Sequence, residues 1–305
     1  MGSDKCYSWY QRPAVLPRSA QWAVDELKRS QRNNVKFAIC NEMFEGWDFA
    51  EICRFVAGVG YEGIEIAPYT LPKIAGELTR SERLDMRQAA VDAGIEIEGL
   101  HWVLAKTEGY HISHPDKAIR DATVSYLSDL VELCGDLGGK IMVFGSPNQR
   151  SVLEGLTYQQ SWELARGTFK RLLKPLNDAD VTFCLEPLSQ QDTNFINTAE
   201  EAIRMIREVD DPKFQLLLDV KAMCTESKPI PEIIRTSAKY IRHFHANDAN
   251  LRGPGFGDTD FRPIAAALKE IGYEGWVSVE VFDFAPDPKT IAVKSFEYLK
   301  DVFEV

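Results

Sequence analysis

The chain is short of the residues that build disulfide scaffolds, zinc fingers and nucleic-acid surfaces. Its six cysteines, at 6, 40, 53, 134, 184 and 224, never form a Cys-x-x-Cys pair. That excludes finger-type zinc spacing and a disulfide framework, and it predicts reduced thiols in a cytoplasmic protein. Histidine is scarce, at five in 305 residues, which argues against a site holding several zinc ions on many imidazoles. Cations are outnumbered, 35 Lys and Arg against 46 Asp and Glu, for a formal charge of −11. Phosphate neutralisation needs clustered basic side chains, so neither nucleic acid nor an anionic membrane surface is expected as a partner. No run nears the roughly 18 apolar residues of a membrane span, and no signal peptide is visible. A glycine-rich phosphate loop is missing as well: after Cys40 the chain reads NEMFEGWD, which disfavours an open, doubly wound nucleotide fold.

What is present is an alternating pattern. With 45% hydrophobic and 27% charged residues the composition is that of a globular enzyme-sized domain. Eight strand-like runs occur at 35–40, 63–66, 95–102, 140–145, 181–186, 214–219, 240–245 and 276–281. Amphipathic helical stretches separate them, several ending in Gly, and Thr198 with Glu201 three residues on reads as a capping box. Alternation of this kind implies parallel strands joined by crossover helices, and eight units match a single α/β (β/α)8 TIM barrel of roughly 250 residues. The barrel is expected to span 35–305 as one catalytic domain. Residues 1–34 are expected to be an N-terminal extension, a possible leader plus one helix over SAQWAVDELKRSQRNN, packed at an end or an interface.

In such a barrel the site lies at the C-terminal ends of the strands. Strands five to eight end on or near Glu186, Asp219, His245 and Glu280, separated by 33, 26 and 35 residues. One βα unit is roughly 31 residues, so the four groups recur at one level of four neighbouring strands. Period-two alternation puts Thr182, Cys184 and Glu186 on one face of strand five, and Ser278 and Glu280 on one face of strand eight, with the apolar residues opposite. Three converging carboxylates repel one another unless a cation sits among them. Three carboxylates and one imidazole form an oxygen-rich set that favours Mn²⁺ or Mg²⁺, with Co²⁺ or Zn²⁺ also able to fit.

The stretches LEPLSQQDTNFINT, LLLDVKAM, HFHANDANLRGPGFGDTDF and GYEGWVSVEVFD resemble the xylose-isomerase-like sugar isomerase/epimerase superfamily, near its ketose 3-epimerase and inosose-pathway branch. The resemblance implies one divalent metal per chain, Mn²⁺ foremost, held by Glu186, Asp219, His245 and Glu280. It also implies that Glu186 and Glu280 serve as acid and base. In that chemistry a chelated carbonyl acidifies the neighbouring C–H, and a proton leaves one face and returns through an enediolate. Two positions depart from the epimerase pattern: Ala222 stands where a His is usual after the strand-six Asp, and Leu251 where an Arg follows the metal His.

Further candidates surround this set. Glu65 and His101 end strands two and three, and each is expected to meet substrate hydroxyls or to tie strand ends together. Trp102 is a candidate to stack on a sugar ring, and Arg150 to meet a carboxylate or phosphate. Lys221 is expected to touch substrate or to pair with a site acid. Asp248 and Arg252 begin the loop expected to close over the substrate, with His243 a support bonded to Glu186 or Asp219. His111 and His114 read as surface or lid residues. The expected function is a metal-dependent sugar isomerase or epimerase acting on a keto-sugar or polyol-derived substrate, with a homodimer or homotetramer as the possible assembly. A lyase or dehydratase acting on an inosose or 3-keto-glycoside is the alternative, followed by a sugar-binding protein without catalysis.

Overall fold

The computed structural model describes residues 35–304; the extension expected over 1–34 lies outside the described residues. Eight strands, β1 (Lys36–Cys40), β2 (Gly63–Ile66), β3 (Glu96–Leu100), β4 (Ile141–Phe144), β5 (Thr182–Leu185), β6 (Phe214–Asp219), β7 (Ile241–Ala246) and β8 (Trp276–Val279), close into a barrel in chain order. The closing pair, β1 with β8, is parallel like the rest. The crossovers carry α1 (Phe49–Val59), α2 (Arg80–Ala93), α3 (Lys117–Leu137), α4 (Tyr158–Ala179), α5 (Ala199–Val209), a single turn α6 (Val220–Met223), α7 (Ile230–Ser237), α8 (Arg262–Glu270) and α9 (Pro288–Phe303).

Local chemistry fixes where these elements begin. Asp48 accepts from the N–H groups of Ala50 and Glu51 to start α1, and Thr79 with Glu82 forms a complete capping box on α2. On α5 only half of the expected box exists. Thr198 accepts from Glu201 N, but the Glu201 carboxylate turns to the N–H of Asn197 instead.

The strands bury their two faces differently. Outward residues pack on the helices: Phe183 stacks on Phe214 at 5.6 Å between centroids and lies against Phe169. Inside the barrel, Ile141, Val143, Cys184 and Leu217 from β4–β6 form a small apolar plug. The opposite half of the interior is polar, with Glu65, Glu98, His243 and Ser278 all buried. Two register shifts serve this arrangement, leaving Glu98 of β3 and Arg242 of β7 as inserted residues. Gly99 permits the close approach of β3 to β4, since a Cβ there would lie 2.0 Å from the Ile141 carbonyl oxygen. The ladders end one residue before Glu186 and Glu280, which still bond back through their N–H groups to Phe144 O and Ala246 O. Both carboxylates therefore stand on the lip of the barrel.

Candidate active site

Glu186, Asp219, His245 and Glu280 meet at that lip. One donor atom from each lies within 4.8 Å of the others, and all four residues are buried. Each is held by what surrounds it. Asp219 accepts from Ala222 N at 2.7 Å through Oδ1 and from the Asn247 amide at 2.5 Å through Oδ2. Asn247 is itself fixed, because its Oδ1 accepts from Lys221 N at 2.8 Å. Glu280 Oε1 accepts from the Trp102 indole N–H at 2.5 Å and lies 3.3 Å from His101 Nδ1. His245 points Nδ1 at Glu280 Oε2 and Nε2 at Glu65 Oε2, each at 3.1 Å.

Glu186 is positioned through its backbone. The buried guanidinium of Arg150 donates to Glu186 O at 2.6 Å and to Gly145 O at 3.0 Å. Gly145 leaves the room the carboxylate needs, since a Cβ there would sit 2.2 Å from Glu186 Oε2. Among the described residues no hydrogen bond reaches the Glu186 carboxylate, which leaves its oxygens free to meet a ligand.

The electrostatics follow from burial and crowding. Burial and the nearby Glu280 and Asp219 push the Glu186 carboxyl well above the usual range. Burial and Glu280 raise Asp219 to about 6. For Glu280, burial is outweighed by His245 and His101, which hold it well below the carboxylate range. Burial opposes the charged form of His245, yet Glu280 and Glu65 override it and raise the imidazole. Three carboxylates and one imidazole thus converge with an excess of negative charge, and this oxygen-rich donor set fits a hard divalent cation.

In front of these groups lies a cavity of about 270 Å³ whose walls include Glu186, Asp219, Glu280, Trp102, Lys221 and Phe282. His245, wholly buried, lies behind Glu280 and off this lining. Trp102 takes a left-handed φ of +50°, unusual for a bulky side chain, and is clamped between Tyr69 and Phe282 in a stack. Lys221 pairs with Asp192 at 2.8 Å and lies over the Phe282 ring, so the acid it meets is outside the expected set.

Five residues expected as substrate contacts lie outside the cavity lining, and of these Glu65 and His101 take the alternative role of tying strand ends together. Glu65 is inside the barrel beneath His245, bonded to both histidines of β7. His101 braces Glu280 from behind, with no exposed surface. Arg150 is also wholly buried and off the cavity lining; its Nη1 donates to the two carbonyls, while Nη2 and Nε meet no partner among the described residues. Asp248 accepts from Thr259 N and Oγ1 and staples the loop after β7. Arg252 is part-exposed and pairs with Asp283 at 2.9 Å. His243 bonds Glu65 at 3.1 Å, not Glu186 or Asp219, because it sits a layer deeper. His111 is buried, with Nδ1 accepting from Ser113 N, and His114 accepts from Asp116 N.

Sequence reasoning overlooked Asn247 as the clamp on Asp219, Asp192 as the partner of Lys221, and Glu42, whose Oε2 lies 3.2 Å from His101 Nε2. Asn247 had a visible signal, two residues beyond the strand-seven His. The other two come from loops, where no periodicity marks a side chain's direction.

The fold and these groups together define a (β/α)8 barrel with an acidic, metal-competent site at the C-terminal strand ends. The chain belongs to the xylose isomerase-like TIM-barrel family, whose model matches residues 53–302. It is 27% identical over 256 residues to a D-psicose 3-epimerase of Ruminiclostridium cellulolyticum, covering 82% of this chain and 84% of the relative. To the 3-dehydro-D-guloside 4-epimerase of Escherichia coli it is 24% identical over 276 residues, 87% of this chain and 99% of that one. A crystal structure of D-psicose 3-epimerase with D-tagatose from Clostridium cellulolyticum H10 superposes with a TM-score of 0.79 at 23% identity, covering 89% of this chain and 99% of the other. These relatives place the chain among enzymes of the isomerase class.

Proposed function

We propose that this protein is a divalent-metal-dependent epimerase or isomerase of a keto-sugar or a polyol-derived ketone. The observation that carries the reading is the convergence of Glu186, Asp219, His245 and Glu280 within 4.8 Å at the floor of the cavity. Those four residues would hold one divalent ion, with Mn²⁺ the first candidate. A metal bound there polarises a substrate carbonyl and acidifies the adjoining C–H.

The chain's own groups handle the proton. Glu186 and Glu280 stand just past the ends of β5 and β8, three strands apart in the barrel, so one takes the proton from carbon and the other returns it. Return on the opposite face inverts the centre; return at the neighbouring carbon interconverts aldose and ketose. Asn247 and the Ala222 N–H fix Asp219 as a ligand, while His101 and the Trp102 indole fix Glu280, which need not reorganise during transfer. Trp102 and Phe282 supply an apolar wall that excludes water, and the Lys221–Asp192 pair offers a donor and an acceptor to hydroxyls. The five described cysteines are free thiols, four of them buried, in keeping with a cytoplasmic protein, and no described helix is long and apolar enough to cross a membrane.

The test is product analysis by NMR in D₂O with Mn²⁺ and a panel of ketoses, inososes and 3-keto-glycosides. Deuterium is expected at carbon in the wild type and should vanish in Glu186→Gln with the fold retained. Undiminished incorporation in that variant removes Glu186 from the chemistry, and loss of water or an aglycone moves the enzyme to the lyases.

A further inference from the structure

Next to the site cavity lies a second, larger one of about 640 Å³, between the loops that follow β1 and β2. The two adjoin. Lys106 lines both, and the stacked pair of Tyr69 on the second cavity and Trp102 on the first forms the partition, with centroids 5.8 Å apart. Phe282 and Phe284, two residues apart on the exit of β8, face the first and the second respectively. The first cavity lies near the small end of the ~300–1,000 Å³ range of ligand pockets, enough for one monosaccharide. The second offers space that a free ketose leaves empty.

Its lining has a definite chemistry. Trp47, Tyr69 and Phe284 present rings, and Glu42, Glu45 and Asp85 present carboxylates. Glu42 is 3% exposed, and its Oε2 accepts no hydrogen bond, with the His101 nitrogen nearby but out of line. Among the described residues Glu45 and Asp85 take part in no ion pair. Carboxylates accept from hydroxyls and rings pack on C–H faces, which is how a neutral sugar is held. The same carboxylates repel a phosphate or an acid.

We propose that the second cavity is a subsite for a second, neutral sugar unit, so that the natural substrate is a glycoside whose oxidised ring lies over Glu186 and Glu280. This deepens the function proposed above and rests on it. Lys106, held over the Tyr69 ring at 4.0 Å, stands at the junction where the glycosidic oxygen would pass.

The experiment uses the full-length, Mn²⁺-loaded chain with free 3-keto-D-glucose, its 6-phosphate and the disaccharide 3-keto-cellobiose. Calorimetry gives binding, and deuterium incorporation gives kcat/KM. The disaccharide is expected to bind at least about tenfold more tightly than the free sugar. Glu45→Trp, an exposed change that fills the second cavity, is expected to erase that preference through KM and leave the free sugar unchanged. Equal binding of the two sugars, preference for the phosphate, or a Glu45→Trp effect shared by both sugars overturns the subsite. Deuterium absent throughout, with the disaccharide preference present and erased by Glu45→Trp, supports the subsite and refutes the proton-transfer chemistry instead.

Discussion

Replacing Glu65 by Gln is expected to weaken metal binding although Glu65 never touches the cavity. Its Oε2 lies 3.1 Å from Nε2 of both His245 and His243, in a wholly buried position beneath the lip. An imidazole that offers Nδ1 to a cation keeps its proton on Nε2, and that N–H needs an acceptor to fix the tautomer and aim the ring. A carboxylate does this best because it also raises the basicity of the imidazole. Glutamine preserves the volume and one acceptor oxygen but removes the charge. Such changes typically cost 10- to 100-fold in metal affinity, or about 1.4–2.7 kcal/mol. Competition against a fluorescent chelator with Mn²⁺ measures the dissociation constant directly, and circular dichroism confirms the fold. Glu65→Asp, which keeps the charge but withdraws it by one methylene, should lie between the two and covers the case in which the amide fails to fold. A dissociation constant within about twofold of wild type in a folded Glu65→Gln would refute the role assigned to Glu65.

Gly145→Ala is expected to lower kcat about 100-fold with the melting temperature little changed, because the new Cβ would lie 2.2 Å from Glu186 Oε2 and displace the carboxylate; an unaltered kcat would show that the carboxylate does not need its observed place. Burial, with His114 nearby, lowers His111 to about 4, whereas an unfolded imidazole takes its proton near 6.5. The unfolded chain therefore binds more protons between those values, so stability is complete above about pH 6.5 and falls as the pH drops through the window, by about 2 kcal/mol at pH 5. Urea melts at pH 7.5 and 5 should show a smaller difference in His111→Asn than in wild type, and equal differences would remove His111 as the cause.

How much of this was legible before the structure depended on where a residue sits. Glu186, Asp219, His245 and Glu280 could be read because strand spacing sets their level and alternation sets their face. Even so, the strand ends shifted by a residue or two, since Glu186 and Glu280 lie past the last ladder pair. Glu65 and His101 take the second of the two roles their positions allow, tying strand ends together, with Glu65 a layer below the lip. Both are bound by the charged groups of other strands, and partners 178 to 180 positions away leave no local trace. Arg150 follows β4 as a loop residue should, yet it turns inward, where its guanidinium supplies the donor that the buried carbonyls of Gly145 and Glu186 need. The pairing of Arg252 with Asp283 is a surface event that no pattern along the chain announces.

The two departures from the epimerase pattern now have physical content. Ala222 lines the cavity, so a small side chain leaves open the place where an imidazole is usual. The neighbouring Lys221 crosses that space to Asp192 and lies 4.8 Å over Phe282. Leu251 is 41% exposed at φ +72°, outside the cavity lining, and contributes through its carbonyl, which accepts from the N–H groups of Phe282 and Asp283. The guanidinium expected at that position is thus replaced by a backbone clamp on the exit of β8, the segment that carries Phe282 into one cavity and Phe284 into the other. The site therefore keeps the four metal-competent groups and presents a lysine–aspartate pair and an aromatic wall where the pattern has an imidazole and a guanidinium. The neutralisation of Lys221 by Asp192 and the ring surface of Trp102 and Phe282 both favour a neutral sugar over an anionic one.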